Sequence, residues 1–215
     1  GVEAKIIDKE SGEKIPDDKE GIICVMGPNV MKGYHKNLKE TARVLSADGW
    51  FNTGDRGYFT KKKELVITGR EKEIIVLSNG ENINPVPIES ALMQSKYIDT
   101  AILTGQDWRL LGVYIVPNFD ALEKYCETEN IFLQKNSLET ALSDEKITRL
   151  FKNEINALVS KKYGFQNYEL VHAFSLLPNP FIPGKELTHT LKPRRAEIDR
   201  IYAVEHQRMR EAIER

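Results

Sequence analysis

Three charged side chains in this sequence have the type and setting that nucleotide and phosphate chemistry needs. Asp55 directly follows a Thr-Gly pair, and an ionised carboxylate can accept hydrogen bonds from two neighbouring hydroxyls, such as those of a ribose. Arg70 ends the apolar run that begins at Leu65, and its planar guanidinium suits phosphate or ribose oxygens. Lys192 carries a compact ammonium, which can offset negative charge that develops around a phosphorus atom.

The neighbours of Lys192 predict a loop that leads into a helix. Proline disfavours helical geometry in the residue before it, so Lys192 is predicted to be extended. Pro193 also suits the first turn of a final helix, with Arg194 and Arg195 beside the lysine. Because a helix N-terminus attracts anions, this segment is predicted to favour an anion.

Each of these residues also has an ordinary structural interpretation. An isolated Thr-Gly-Asp is typical of a carboxylate that caps a hairpin turn. Arg70 is compatible with a surface arginine, and Lys192 with a solvated lysine in a basic tail. The residue types alone leave both interpretations open.

The segments around Asp55 and Arg70 predict strands. Residues 2–8 alternate apolar and polar side chains, as a half-buried strand does, and residues 21–26 form a continuous apolar run typical of a strand covered on both faces. Residues 48–89 predict further strands broken by glycine turns. Residues 1 to about 70 are therefore predicted to be mostly β, as part of a barrel-like subdomain.

After Arg70, predicted strands alternate with predicted helices. Pro85 and Pro87 fit the first turn of a helix, and Ser143 is a plausible N-cap with Asp144 and Glu145 in the following turn. The remaining predictions are strands at 101–104, 111–116 and 170–176, helices at 119–126 and 147–159, an excursion at 130–142, a loop at 179–184, and one last helix through 198–209.

Composition excludes several classes of protein. Lys plus Arg number 31 against 32 Asp plus Glu, so no overall positive charge attracts nucleic acid. No apolar run approaches the roughly 20 residues that span a bilayer, and no leader for secretion is evident. Cys24 and Cys126 form no disulfide framework, which favours a reducing cytosol, and the four histidines lack metal-type spacing. Peripheral membrane contact stays open.

The order of the motifs resembles that of the adenylate-forming (AMP-binding) superfamily, which includes acyl-CoA synthetases, luciferases and the adenylation domains of peptide synthetases. The resemblance is carried by Thr53-Gly54-Asp55, Gly69-Arg70, Ser78-Asn79-Gly80 and the Thr188-x-Thr190-x-Lys192 pattern. The last pattern is similar to that of long-chain fatty acyl-CoA synthetases. Lys185 resembles the Gly-Lys of shorter-chain members, but position 181 is Phe where those members have Thr.

The resemblance implies an α/β (α+β) fold with two parts. Residues 1–71 would end a large β-rich N-terminal domain, and residues 72–215 would form a mobile lid with a small mixed sheet, flanking helices and the catalytic lysine. Lys72 stands where the superfamily has its hinge residue, although an exposed turn lysine is the simpler interpretation. The family's phosphate loop and acyl pocket are absent from these residues, so they are expected upstream, and the chain alone is expected to be inactive.

The resemblance also implies roles for individual residues. Asp55 and Arg70 would bind the nucleotide, Lys192 would act in adenylation, and Gly80 and Glu81 would line the path of the pantetheine arm of coenzyme A. Glu89 also matches a family position, although electrostatic support of the helix start is its simpler interpretation. The implied substrates are a fatty acid, ATP and coenzyme A, with AMP as a product and Mg²⁺ held upstream. Acyl-carrier-protein ligation and a non-catalytic docking module are the alternatives.

Overall fold

The computed structural model describes residues 1–129, 131 and 141–215, which form two compact units, Gly1–Ile74 and Ile75–Arg215. Both units contain helix and sheet, so the predicted α/β class is confirmed. The strands are β1 (Glu3–Ile7), β2 (Gly21–Met26), β3 (Phe51–Phe59), β4 (Leu65–Arg70), β5 (Ile75–Val76), β6 (Asn82–Ile83), β7 (Ile98–Thr104), β8 (Leu111–Pro117) and β9 (Val171–Leu176). The helices are α1 (Leu38–Val44), α2 (Pro85–Leu92), α3 (Phe119–Glu129), α4 (Glu145–Leu158), α5 (Arg195–Ile201) and α6 (Ala203–Glu214).

The N-terminal unit is built on a four-stranded antiparallel sheet in the order β1-β2-β3-β4. Its buried side chains come from β1 and from the apolar run in β2, including Ile6, Ile22 and Ile23. Among the described residues β1 and β4 are not paired with each other, so the expected barrel-like subdomain is an open sheet here.

The Thr-Gly-Asp motif lies inside one continuous strand, so no turn interrupts the chain at Gly54. Asn52 pairs with Cys24 and Arg56 with Ile22, so three residues of β3 lie opposite a single residue of β2. Gly54 has φ +71°, a left-handed value that glycine adopts without steric cost. The motif is therefore a bulge, which turns side chains away from the regular alternation of the strand.

The C-terminal unit contains a small mixed sheet in the order β7-β8-β9, and a separate two-stranded ribbon, β5-β6. β7 and β8 are antiparallel, as expected for two short strands close in sequence, whereas β8 and β9 are parallel. The chain between β8 and β9 passes through α3 and α4. The predicted small mixed sheet with flanking helices is confirmed.

Both faces of this mixed sheet are covered, which explains why β7 and β8 are apolar almost throughout. Side chains that alternate along β7 and β8 enter two different cores, one against α2, α3 and α4 and the other against α5 and α6. The first core includes Leu103, Val113, Ile88, Leu122, Phe151 and Ile155. The second includes Ile102, Trp108, Tyr114, Ile198, Met209 and Ile213.

Two predicted helix boundaries in this unit are wrong. The N-cap of α4 is Asp144, not Ser143, because the Asp144 carboxylate accepts from the backbone N–H of Lys146 at 2.8 Å. The single predicted last helix is broken at Tyr202, whose φ of −101° and ψ of 40° interrupt the helical backbone. The excursion predicted at 130–142 lies largely outside the described residues.

Candidate functional site

Asp55 and Arg70 meet across the β3–β4 pair, where they are direct register partners. Arg70 Nε donates to Asp55 Oδ1 at 2.7 Å, and Arg70 Nη2 donates to the carbonyl of Thr53 at 3.3 Å. The two side chains remain 31% and 46% exposed respectively, so a ligand can reach them. The structure brings together the two residues predicted to bind nucleotide.

The bulge that carries Asp55 is fixed by its own neighbours. Thr53 Oγ1 donates to the carbonyl of Ile23 at 2.8 Å and accepts from the backbone N–H of Asp55 at 3.0 Å. Asn52 Oδ1 accepts from the N–H of Gly54 at 2.9 Å. The threonine of the motif therefore positions the aspartate, and the hairpin-cap alternative does not apply, because Asp55 lies within the strand.

Lys72 is exposed in a single 3₁₀ turn, Glu71–Glu73, directly after β4. The preceding residue, Glu71, forms two ion pairs. Its carboxylate contacts Arg56 Nη1 at 3.0 Å and Lys9 Nζ at 2.5 Å. Burial would raise the pKa of Glu71, but the hydrogen bonds from Lys9 and Arg56 outweigh it and lower the pKa below its ordinary value. The hinge role of Lys72 remains a prediction.

Gly80 lies at the exposed tip of the turn that joins β5 to β6, with φ +86°. The backbone N–H of Leu77 donates to the carbonyl of Glu81 at 2.9 Å, which closes this turn. Ser78 N–H donates to the carbonyl of the buried Trp108 at 2.9 Å and so ties the turn to the second core. A Cβ at Gly80 would have no atom within 4 Å, so the turn has open space in front of it.

Lys192 ends a tight turn of residues 188–192, which we call the lysine turn. Thr188 Oγ1 accepts from the backbone N–H of Lys192 at 3.0 Å and lies 3.0 Å from Thr190 Oγ1. Leu191 has φ +62°, a conformation that costs a non-glycine residue about 1 kcal/mol or more. The two threonines thus stabilise the backbone that presents the lysine. Lys192 is exposed and has no ion-pair partner in the part of the chain described.

The predicted arrangement after the lysine is partly wrong. The helix α5 begins at Arg195, so Pro193 lies before the N-cap rather than in the first turn. Arg194 Nη1 donates to the carbonyl of Lys185 at 2.9 Å. Arg195 does not stand beside the lysine for an anion, because its guanidinium is turned inward to Glu89.

Glu89 also has a different role from the predicted support of a helix start. It lies in the last turn of α2 and is buried. Its Oε1 accepts from Arg195 Nη1 at 2.6 Å and from the N–H of Leu103 at 2.7 Å, and its Oε2 accepts from Arg195 Nη2 at 3.0 Å. No local sequence pattern predicts this pair, because the two residues belong to helices far apart in the chain.

A second polar cluster holds α5 against the sheet. Asp199 Oδ1 accepts from Thr104 Oγ1 at 2.9 Å and from Tyr114 Oη at 3.1 Å. Burial raises the pKa of the Tyr114 phenol and the nearby Asp199 charge adds to this, so the phenol stays a donor. Asp199 was not singled out from the sequence.

Neither a metal-binding cluster nor a membrane-spanning helix occurs in the described part of the chain. Residues 1–129, 131 and 141–215 contain no group of three His, Cys, Asp or Glu side chains placed to hold a metal ion. Cys24 and Cys126 are free and buried, and burial raises the pKa of each thiol. Among the same residues, no helix combines the length and apolar character that crossing a membrane requires.

The family model and the curated relatives that match this chain all point to enzymes that activate carboxylic acids. Residues 72–163 match the AMP-binding enzyme C-terminal domain. The chain is 37% identical over 218 residues to a probable acyl-activating enzyme 16, chloroplastic, of Arabidopsis thaliana, covering 96% of this chain and 29% of that protein. It is 35% identical to a chloroplastic long-chain-fatty-acid–[acyl-carrier-protein] ligase of the same plant (94% and 28%), and 32% identical to the long-chain-fatty-acid–CoA ligase 5 of Mus musculus (92% and 29%).

Solved structures share the fold. The adenylation domain of a carboxylate reductase from Mycobacterium chelonae matches with a TM-score of 0.75 at 21% identity, over 96% of this chain and 30% of that one. The corresponding domain from Segniliparus rugosus, solved with AMP and a carboxylic acid, also has a TM-score of 0.75, at 23% identity over 96% and 31%. This chain spans less than a third of the length of these relatives. Its residues 72–163 belong to the family of AMP-binding enzyme C-terminal domains, which confirms the resemblance to adenylate-forming enzymes that the sequence motifs indicated.

Proposed function

We propose that this chain is the C-terminal part of an ATP-dependent long-chain fatty acyl-CoA synthetase. The observation that carries the proposal is the alignment of more than nine-tenths of the chain with long-chain-fatty-acid ligases, together with an exposed lysine on a preformed turn. In the first half-reaction a fatty acid and ATP would give acyl-adenylate and pyrophosphate. In the second, coenzyme A would give acyl-CoA and AMP.

Residues 1–71 would complete a nucleotide-binding domain. Asp55 would accept hydrogen bonds from the ribose hydroxyls, while Arg70 would contact ribose or phosphate oxygens. The ion pair between them supports this role, because each side chain fixes the other in orientation before a ligand arrives. The partial exposure of both side chains leaves donors and acceptors available to the nucleotide.

Lys192 would act during adenylation. The attacking carboxylate oxygen forms a bond to the α-phosphorus of ATP while the bond to the bridging oxygen of pyrophosphate breaks. Two anions approach each other in this step, and negative charge accumulates on the nonbridging oxygens. An ammonium group between the reactants offsets that charge where it develops, and removing such a contact typically costs about 3 kcal/mol.

Residues 72–215 would then pivot about Lys72 for the second step. Lys192 would leave the site, and the turn carrying Gly80 and Glu81 would line the path of the coenzyme A thiol. The open space in front of Gly80 supports this role, because a side chain there would narrow the path. One lid serves two reactions when a hinge brings different faces to the same place.

Mg²⁺ would accompany the triphosphate of ATP and reduce its charge. The described residues contain no cluster of three side chains that could bind the ion directly. Their contribution would be to bind the nucleotide that carries it. We therefore place its protein ligands in the remainder of the longer enzyme. Asp55 and Arg70 would orient the nucleotide to which the ion is bound.

The test is to make Lys192→Ala in the longer enzyme and measure acid-dependent exchange of pyrophosphate with ATP. The rate is expected to fall at least about 100-fold, whereas thioester formation from supplied acyl-adenylate changes much less. Lys161→Ala is the control, because it removes an exposed lysine that forms no ion pair among the described residues. Unchanged exchange in Lys192→Ala would refute the proposal and favour a docking module that never uses ATP.

An acyl-acyl-carrier-protein synthetase is the second candidate. One of the relatives above, 35% identical to this chain, is named as such a ligase. The two reactions share adenylation and differ only in the thiol that accepts the acyl group. Supplying free coenzyme A or a phosphopantetheinylated carrier protein to the longer enzyme, after adenylate has formed, separates them by which acceptor is acylated.

A further inference from the structure

The buried contacts of Arg195 form a closed network. Its two terminal nitrogens contact the two oxygens of Glu89 at 2.6 and 3.0 Å, and Nη1 also donates to the carbonyl of Leu103 at 2.9 Å. Leu103 returns its N–H to Glu89 at 2.7 Å. The network therefore joins the first residue of α5 to α2 and to the C-terminal end of β7. Arg195 Nε is buried without a hydrogen-bond partner among the described residues, so this guanidinium is committed to the interior.

The same network lies at the downstream end of the lysine turn. Arg195 is the third residue after Lys192, and the backbone N–H of Arg194 donates to the carbonyl of Glu186 at 2.9 Å. The Glu186 side chain is buried, with its Oε2 accepting from the N–H of Ile182 at 3.0 Å. The lysine turn is thus held on one side by Glu186 and on the other by Arg195.

A bidentate arginine–carboxylate pair fixes both distance and orientation, whereas a single hydrogen bond leaves rotation free. Because the pair is buried, removing one partner leaves an uncompensated charge in the interior and destabilises the fold. An exposed catalytic lysine on a flexible side chain gains from such a support, since an error of about 1 Å in placing a reacting group can cost on the order of 100-fold in rate.

We infer that Arg195 and Glu89 are positioning residues that hold the lysine turn in its reactive geometry against β7, an inference that rests on the adenylation role proposed for Lys192. The pair contacts neither the lysine ammonium nor any substrate. It acts by fixing the backbone from which Lys192 projects. The turn with Gly80 has hydrogen bonds of its own, to the carbonyls of Glu81 and Trp108, so loss of the pair is expected to affect adenylation more than thioester formation.

The test begins with Arg195→Met in the longer enzyme. The kcat of acid-dependent pyrophosphate exchange is expected to fall about 30- to 100-fold, with the KM for ATP within about threefold of the wild type. Thioester formation from supplied acyl-adenylate is expected to change by less than about threefold. Arg200→Met is the matched control, because Arg200 lies on the same helix in an exposed pair with Glu197, and its loss is expected to leave every rate within about twofold.

Arg195→Met can also lower stability, because it orphans the buried Glu89 carboxylate. The double variant Glu89→Leu/Arg195→Met removes both charges and is expected to unfold at a higher denaturant concentration than either single variant. The kcat of pyrophosphate exchange in this double variant is nevertheless expected to stay low. An apolar contact between residues 89 and 195 does not fix the orientation of the lysine turn as the bidentate pair does. In the double variant, amide hydrogen exchange at residues 186–194 is expected to be faster than in Arg200→Met. The exchange rates of the strand amides are expected to be the same in both variants.

Two results would overturn the inference. One is normal exchange kcat in a folded Arg195→Met or double variant. The other is an equal loss of adenylation and thioester formation in the stable double variant, which would indicate a general structural role. Failure of the adenylation proposal is distinguishable, because Lys192→Ala would then leave pyrophosphate exchange intact. In that case amide exchange at 186–194 still decides whether the pair holds the turn.

Discussion

The two regions that carry the proposed chemistry are built on opposite designs. Asp55 and Arg70 neutralise each other within a sheet, on a bulge with its own hydrogen bonds. Lys192 lies on a turn whose backbone is tightly bonded, and its ammonium has no ion-pair partner in the described residues. A site that holds a ligand through several steps benefits from mutual orientation. A cation required in only one step must leave without breaking a strong ion pair.

The largest effect that would test this contrast concerns nucleotide affinity. We expect Asp55→Asn in the longer enzyme to raise the dissociation constant of ATP about 30- to 100-fold, because charged hydrogen bonds to the ribose are lost. Lys192→Ala is expected to leave that constant within about threefold, since its contact forms in the transition state. Equilibrium titration measures both. Asp48→Asn, in the turn before β3, is the control, and equal affinity losses for Asp55→Asn and Lys192→Ala would break the contrast.

The rigidity of the bulge can be tested at two glycines of β3. A Cβ at Gly57 would lie 2.2 Å from the carbonyl oxygen of Val66, so Gly57→Ala is expected to destabilise the N-terminal unit by about 2–3 kcal/mol. Gly54 has open space but φ +71°, and Gly54→Ala is expected to cost only about 1 kcal/mol. Amide exchange in β3 and β4 measures the difference. A larger loss at Gly54 would contradict this account of the bulge.

A tenfold effect is expected from the threonine that bonds the lysine backbone. Thr188→Val removes the acceptor for the N–H of Lys192, and the exchange kcat is expected to fall about tenfold at unchanged KM for ATP. Thr188→Ser keeps the hydroxyl and is expected to retain most of the rate. Steady-state kinetics of pyrophosphate exchange would detect both outcomes. Equal losses in the two variants would show that the methyl group matters rather than the hydrogen bond.

The smallest expected effect is a dependence on pH at Glu186. Burial would raise its pKa, but hydrogen bonds from the backbone N–H of Ile182 and from Lys185 outweigh this and lower the pKa. A carboxyl group whose pKa is lowered by folding stabilises the protein at any pH above its ordinary pKa. That stability is lost as the pH falls through the lowered pKa. Glu186→Gln is therefore expected to melt about 2–4 °C below the wild type at pH 7, with a smaller difference in acid. Glu127→Gln, exposed on α3, serves as the control. A gap that widens on acidification would contradict the assignment.

Local patterns were sufficient for much of the fold. The start of α2 was predicted at the position where it occurs, because proline at the first turn of a helix acts locally. The errors arose where the local sequence is compatible with two backbone arrangements. Ser143 and Asp144 are both good N-caps, and only the backbone path selects Asp144. Tyr202 breaks the last helix without any glycine or proline to indicate it.

The candidate site was predictable as a set of residues but not as an arrangement. The pairing of Asp55 with Arg70 follows from strand register, which a Thr-Gly-Asp motif does not specify, since glycine with positive φ occurs in turns and bulges alike. Glu89 and Arg195 are joined only by the tertiary fold. A charged residue in a helix predicts a solvated face, and nothing local distinguishes a buried carboxylate with a distant partner.

The parallel pairing of β9 with β8 has a consequence for the order of folding. Contacts between residues so far apart in sequence require closure of a long loop, and such closures slow folding. The lysine turn follows β9, so on refolding its amides acquire protection after those of the β7–β8 hairpin. The backbone that presents Lys192 is therefore expected to become ordered after the hairpin has formed.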